Sequence, residues 1–225
     1  MAKFDLIIFD CDGVLVDSEL LSCGCLCEAL ARYGIALDID EAVDKFVGRN
    51  TAAVHEHYGA LGRPLPEEFS AELKARVRET FSASLSPIDG VGAALDILRS
   101  PLCVASSSDL DRVSHSLALT GLSQYFGGRL YTSQMVKHGK PAPDLFLHAA
   151  EAMLADPRRT LVIEDSVSGV KAAKAAGMTV WGFVGGSHYA ARDGRAILQA
   201  AGADRVFARM SDFWPAGSEG SDGRG

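Results

Sequence analysis

Four stretches of the chain are almost continuously apolar: Phe4–Phe9, Leu102–Ala105, Thr160–Ile163 and Met178–Phe183. A strand with one wet face alternates polar and apolar residues, whereas a strand without alternation is covered on both faces, as in a parallel sheet. Helix-like segments separate these stretches. Asp109–Thr120 opens with an Asp cap and is followed by Gly121. Asp144–Leu154 follows two prolines, and Ser166–Ala176 opens with a Ser cap and is followed by Gly177. Strands alternating with helices of this length build βαβ units, so the expected class is α/β.

From about Ser18 to Leu85 this rhythm breaks, and the chain reads as helix throughout: Glu19–Tyr33, Ile39–Phe46, Thr51–Tyr58 and Pro66–Ser84. A helical block placed after the first strand, with the α/β pattern resuming near Gly90, reads as one domain inserted into another. The expected division is a core of residues 1–16 and 87–214 and a small helical domain of residues 17–86. The connections Gly13–Asp17 and Ser86–Gly90 are candidate hinges. A polar, glycine-rich tail at 215–225 is expected to be disordered.

A chain of 225 residues that is 48% hydrophobic can bury a substantial core. Its net charge of −7 argues against nucleic acid or a membrane surface as the main partner. No apolar run reaches the roughly 18 residues of a membrane span, and Asp5 interrupts any leader-like stretch. Five cysteines, with Cys23, Cys25 and Cys27 crowded into one helix, suit reduced thiols in a cytoplasm better than a disulfide framework. The Cys23–Cys27 face reads as an apolar helix face rather than a metal pair.

Ligands of an open parallel sheet bind outside the carboxyl ends of its strands. Those ends here read Asp10-Cys11-Asp12-Gly13, Ser106-Ser107-Ser108-Asp109 and Glu164-Asp165-Ser166, with Lys140 between the last two in G-K-P-A-P-D. Four carboxylates on one rim need a counter-ion, and an oxygen-only, carboxylate-rich set suits Mg²⁺. Mg²⁺ favours a substrate phosphate as a further ligand, and a lysine with a hydroxyl can hold the remaining phosphate oxygens. The chemistry such a rim permits is phosphoryl transfer.

Asp10-x-Asp12-Gly13-Val14, Ser106, Lys140 and Glu164-Asp165, in this order, resemble the four motifs of the haloacid dehalogenase superfamily. The helical insert resembles the cap of its branch of β-phosphoglucomutase-like enzymes and sugar-phosphate phosphatases. The resemblance implies a Rossmann-like parallel sheet core with an inserted small α-helical cap domain. It implies Asp10 as nucleophile and Asp12 as general acid and then base, with neighbouring negative charge favouring the protonated form of Asp12. It implies Mg²⁺ held by Asp10, the Asp12 carbonyl and Asp165, with Glu164 nearby or bridging through water. Ser106, Ser107 and Lys140 would hold the phosphoryl group, and Arg49, in V-G-R-N of the cap, would meet an anionic substrate.

The implied activity is a Mg²⁺-dependent phosphatase acting on a small phosphorylated sugar, polyol or sugar acid, as a monomer or small homo-oligomer. A dehalogenase would need neither Asp12 nor the acidic pair. The mutase branch carries a cap histidine ten residues beyond its second aspartate, and here that position is Ser22. A phosphometabolite sensor without turnover is the contrasting reading. Gly185-Gly186-Ser187-His188 is expected to be a plain turn, and Lys74, Arg76 and Arg78 a solvated helix face.

Overall fold

The computed structural model describes residues 4–213, so the tail at 215–225 lies outside the described residues. Six strands form one parallel sheet: β1 Leu6–Phe9, β2 Leu102–Ser106, β3 Leu130–Thr132, β4 Thr160–Glu164, β5 Thr179–Phe183 and β6 Arg205–Phe207, in the order β3-β2-β1-β4-β5-β6. The helices are α1 Glu19–Arg32, α2 Ile39–Phe46, α3 Thr51–Ala60, α4 Phe69–Ser84, α5 Val91–Asp96, α6 Leu110–Leu119, α7 Ser123–Phe126, α8 Asp144–Ala152, α9 Val167–Ala175 and α10 Gly194–Ala201.

The sheet explains the unbroken apolar runs. Successive residues of a strand point to opposite faces, so Ile7 and Phe9 enter one core with Val104, Ile163, Phe126 and Phe213. Leu6 and Ile8 enter another with Cys103, Val162, Leu145 and Phe146. The α/β class and the capped helices are as the sequence predicts: the Asp109 carboxylate accepts from the Arg112 N–H, and Ser166 Oγ accepts from the Gly169 N–H. Strands β3 and β6 were not expected. At three residues each, L-Y-T and R-V-F are too short to show a period and form only because a paired strand stands beside them.

Helices α1–α4 all lie between β1 and β2 and enclose an apolar cluster of their own, with Leu30, Phe69 and Phe81 at its centre. The outgoing and returning connections pair with each other. The Asp17 N–H donates to the Ser86 carbonyl, the Ile88 N–H donates to the Leu15 carbonyl, and Val16 and Pro87 form an antiparallel bridge. The helical layer also touches the core elsewhere. Arg192 reaches Asp44 and the Asp40 carbonyl, and Ser168 Oγ donates to the Gly48 carbonyl at 3.3 Å. Gly48 has φ +73, and a Cβ there would lie 2.5 Å from Ser166 Cβ, so glycine permits that close approach. No helix among the described residues is long and apolar enough to cross a membrane.

Phe69 is fully buried at the centre of the helical cluster. Phe69→Ala is expected to cost about 3–5 kcal/mol, read from the shift in the urea unfolding midpoint. A loss below about 1 kcal/mol would mean the cluster does not hold the layer together.

Candidate active site

The strand order reverses about β1, whose neighbours are β2 and β4, and the crevice outside their carboxyl ends is where such a sheet binds ligands. Register then decides which side chains meet. Phe9 is level with Val104 and with Ile163, so the residues that follow, Asp10, Ala105 and Glu164, arrive at one height. Lys140 spans them: Nζ donates to Asp10 Oδ1 at 2.5 Å, to Glu164 Oε1 at 2.6 Å and to the Ala105 carbonyl at 3.0 Å. Its side chain is 1% exposed and lies over the Phe146 ring. Burial alone would lower its pKa, but the two carboxylates outweigh burial and raise it.

Asp10 and Asp12 experience opposite environments. Burial holds the Asp10 carboxyl well above the usual range; Lys140 opposes that shift, while Glu164, Asp165 and Asp12 add to it. Burial pushes Asp12 up as well, but three donors reverse the sign and its pKa is lowered. Arg112 Nη2 donates to Oδ1 at 2.6 Å, Ser18 Oγ to Oδ1 at 2.7 Å and Ser108 Oγ to Oδ2 at 2.7 Å. This corrects the expectation that neighbouring acids would keep Asp12 protonated. Arg112, on the first turn of α6, outweighs them. No motif reading pointed to Arg112; its cue was a cation three residues beyond a helix cap at a strand end.

Glu164 and Asp165 part company. Both Glu164 oxygens are engaged, Oε1 by Lys140 and Oε2 by the N–H and Oγ of Ser166. Asp165 Oδ2 is buried without a hydrogen-bond partner, and His188 Nε2 stands 3.2 Å away without forming a well-aligned bond. The expected plain turn at 185–188 therefore packs a buried histidine against the acidic rim. Gly13, at φ +74, is what allows this closeness, since a Cβ there would sit 1.9 Å from Asp165 Oδ2. Glu19 is also buried. Its carboxyl is pushed up to about 8 by burial, then by Asp12 and Asp165.

A divalent cation fits this chemistry. Among the described residues Asp10, Asp12, Glu164 and Asp165 meet two permanent cations, Lys140 and Arg112, with His188 beside Asp165, so the buried, oxygen-rich place holds more carboxylates than cations, and Asp165 Oδ2 lacks a donor. Among the described residues no three His, Cys, Asp or Glu side chains converge as ligands by themselves. Backbone carbonyl, water and substrate oxygens would have to complete the set, which is how Mg²⁺ is commonly held.

A cavity of about 340 Å³ opens above this rim, floored by Asp10, Asp12, Lys140 and Glu164 and walled by Phe46, Val54, Leu73 and Phe81 of the helical layer. Ser106, buried, and Ser107 line it. Ser106 Oγ accepts from the Ser108 N–H, and the Ser107 carbonyl accepts from Ser133 Oγ. Arg49 is exposed and lines the opposite side. Lys74 and Arg78 are not simply solvated: they line the cavity and pair with Asp109 and Asp111 at 3.2 Å, joining α4 to α6. Arg76 does point outward, to Glu28 and Glu79. Cys23 lines the cavity and packs in a small apolar cluster with Ala42 and Val43 that Cys27 adjoins.

A parallel α/β sheet with an aspartate pair, a buried lysine and an acidic pair at its carboxyl edge defines a hydrolase of the haloacid dehalogenase type. The family model for haloacid dehalogenase-like hydrolases matches residues 4–177, and the chain belongs to that family. It is 31% identical over 193 residues to 6-phosphogluconate phosphatase of Escherichia coli K12, covering 84% of this chain and 86% of that protein. It is 33% identical over 207 residues to a phosphorylated carbohydrates phosphatase of Thermotoga maritima, covering 87% and 91%. Among solved structures it resembles a haloacid dehalogenase-like protein of Agrobacterium tumefaciens, with a TM-score of 0.79, 35% identity, and coverage of 93% of this chain and 96% of that one.

Because the folded pKa of Glu19 lies above the usual carboxylate value, the folded state binds its proton more tightly than the unfolded chain. Its contribution is fully present below the unfolded pKa of about 4.5 and is lost as pH rises towards about 8. In chelator, apo-protein stability is therefore expected to fall across that window, and Glu19→Gln is expected to flatten the fall. Urea titrations at a series of pH values measure it, and parallel wild-type and variant curves would refute it.

Proposed function

We propose that the protein is a Mg²⁺-dependent phosphomonoesterase that hydrolyses a small phosphorylated sugar, polyol or sugar acid through a phosphoryl group carried on Asp10. The observation that carries this reading is the Lys140 bridge. It occupies Asp10 Oδ1 and Glu164 Oε1, while Asp10 Oδ2 takes no side-chain or backbone donor among the described residues, and Asp10 lies on the floor of the cavity. In the first step Asp10 Oδ2 attacks phosphorus, the ester P–O bond breaks, and the leaving oxygen takes a proton from Asp12. In the second, Asp12 removes a proton from water, the hydroxide attacks phosphorus, the Asp10–phosphoryl bond breaks and inorganic phosphate departs.

The three donors on Asp12 suit the base of the second step. For the first step the arriving phosphate brings negative charge beside Asp12, which favours its protonated form. Bound Mg²⁺ would neutralise phosphate charge; Asp10, the Asp12 carbonyl and Asp165 are the groups to hold it. Ser106 orients the transferring group, Lys140 spends its three N–H donors on holding Asp10 in place between Glu164 and the Ala105 carbonyl, and Glu164 braces Lys140 and Ser166.

We assign helices α1–α4 to a cap domain of residues 17–86 over a core of residues 1–16 and 87–214, with Arg49 presented to the anion from the cap side. The substrate class draws support from the relatives, whose names specify 6-phosphogluconate and phosphorylated carbohydrates. Transfer back to sugar, as in a mutase, is not favoured: Ser22 supplies a hydroxyl that accepts from Arg112. The five free cysteines suit a reducing cytoplasm.

With phosphorylated aldonic acids, polyols and sugars as substrates, Mg²⁺-dependent phosphate release is expected. Asp10→Asn is expected to lower kcat by at least about 10³-fold while circular dichroism and unfolding midpoint stay near wild type. EDTA is expected to abolish turnover, and added Mg²⁺ to restore it. Asp10→Asn retaining turnover, or full activity in EDTA, would sink the assignment.

A further inference from the structure

Arg112 is anchored at one corner and open at the other. Nη2 donates to Asp12 Oδ1 at 2.6 Å and to Ser22 Oγ at 2.8 Å, and the guanidinium lies 4.8 Å from the centroid of the Phe81 ring. These contacts fix both the plane and the rotation of the fork. Among the described residues the rest of it is unused: Nε is buried without an acceptor, and Nη1 meets no acceptor although the side chain remains 25% exposed on the cavity wall. An N–H group left without an acceptor is unfavourable, so a group that supplies oxygen acceptors to Nη1 is bound more tightly than one that does not.

The location says what that group is. In the phosphatase reading, on which this inference rests, Asp12 delivers a proton to the leaving oxygen and must lie within hydrogen-bond distance of it. Arg112 is bonded to that same carboxylate. The carbon that bears the phosphate ester, and the carbon next to it, therefore come to rest beside the open edge of the guanidinium. The N–H donors of Nη1 suit hydroxyl or carboxylate oxygens next to the ester carbon and offer nothing to a bare alkyl chain.

We propose that Arg112 is a specificity-determining residue that binds the oxygen substituents next to the phosphorylated carbon, so that the enzyme selects phosphate esters of polyhydroxylated alcohols over simple alkyl phosphates. A residue that only positioned Asp12 would act equally on every substrate that needs a protonated leaving group. The two roles separate on a matched pair of esters: glycerol 3-phosphate and n-propyl phosphate both need the acid, but only the first carries a hydroxyl beside the ester carbon.

The test is the ratio of kcat/KM for glycerol 3-phosphate to that for n-propyl phosphate, in wild type, Arg112→Met and Arg112→Lys. A ratio is unaffected by the fraction of enzyme that folds. Wild type is expected to favour glycerol 3-phosphate, and Arg112→Met to lower the ratio about tenfold, the size of one lost hydrogen-bonding group. Arg112→Lys, which keeps the charge beside Asp12 but not the Nη1 donors, is expected to recover n-propyl phosphate turnover more than glycerol 3-phosphate turnover. A wild-type ratio near one, or a change of less than about threefold in Arg112→Met, would overturn the proposal. p-Nitrophenyl phosphate serves as the control for the underlying reading, because its leaving group needs neither acid nor hydroxyl. If wild type releases phosphate from none of the three esters, the phosphatase reading fails and takes this proposal with it; if all three turn over with an unchanged ratio, Arg112 alone loses its role.

Discussion

One ammonium group holds the rim together. Lys140 has left water almost completely, a transfer that costs several kcal/mol, and the compensation comes from two carboxylates and a carbonyl on three neighbouring strands. Asp10 follows β1, Ala105 belongs to β2 and Glu164 ends β4, so the lysine ties together the strand ends whose level arrangement makes the site. Its own loop is secured in turn by Ser133 Oγ, which donates to the Ser107 carbonyl. Take the ammonium away, and buried carboxylates would face one another with no cation between them. Hence the positioning of Asp10 and the integrity of the strand edge are one physical matter.

Two aspartates one residue apart carry different loads because their partners differ. Asp10 meets a lysine that also serves Glu164, and its carboxyl stays hard to ionise; Asp12 has a guanidinium and two hydroxyls and ionises easily. The turn after β1 sends the two side chains into these separate surroundings, and Gly13 at positive φ lets it bend tightly against Asp165. The remaining shortage of positive charge is what a divalent cation would make good.

The helical layer supplies what the strand edge lacks, an apolar ceiling. Phe46, Leu73 and Phe81 wall the cavity above the carboxylates, and the layer reaches the core through α4–α6 ion pairs, Arg192 and the close contact at Gly48. Exposed ion pairs of this kind are worth little each.

Much of this was readable before any coordinates. Period and capping residues are local properties, so the α/β class, the helical insert and helices such as Ile39–Phe46 followed from the chain itself. So did the grouping of Asp10, Asp12, Ser106, Lys140, Glu164 and Asp165, because a parallel sheet delivers every strand's carboxyl end to one edge. Strands β3 and β6 were hidden, being too short to express a period without a neighbour. Arg112, Glu19 and His188 were hidden for a different reason: each is an ordinary residue of its own helix or turn. Only the fold, by bringing segments ninety and more residues apart within hydrogen-bond distance, gave Arg112 its hold on Asp12 and Ser22. Residue type and spacing determine which groups reach the edge; the charge state each one keeps there depends on through-space partners and burial, which exist only once the chain has closed.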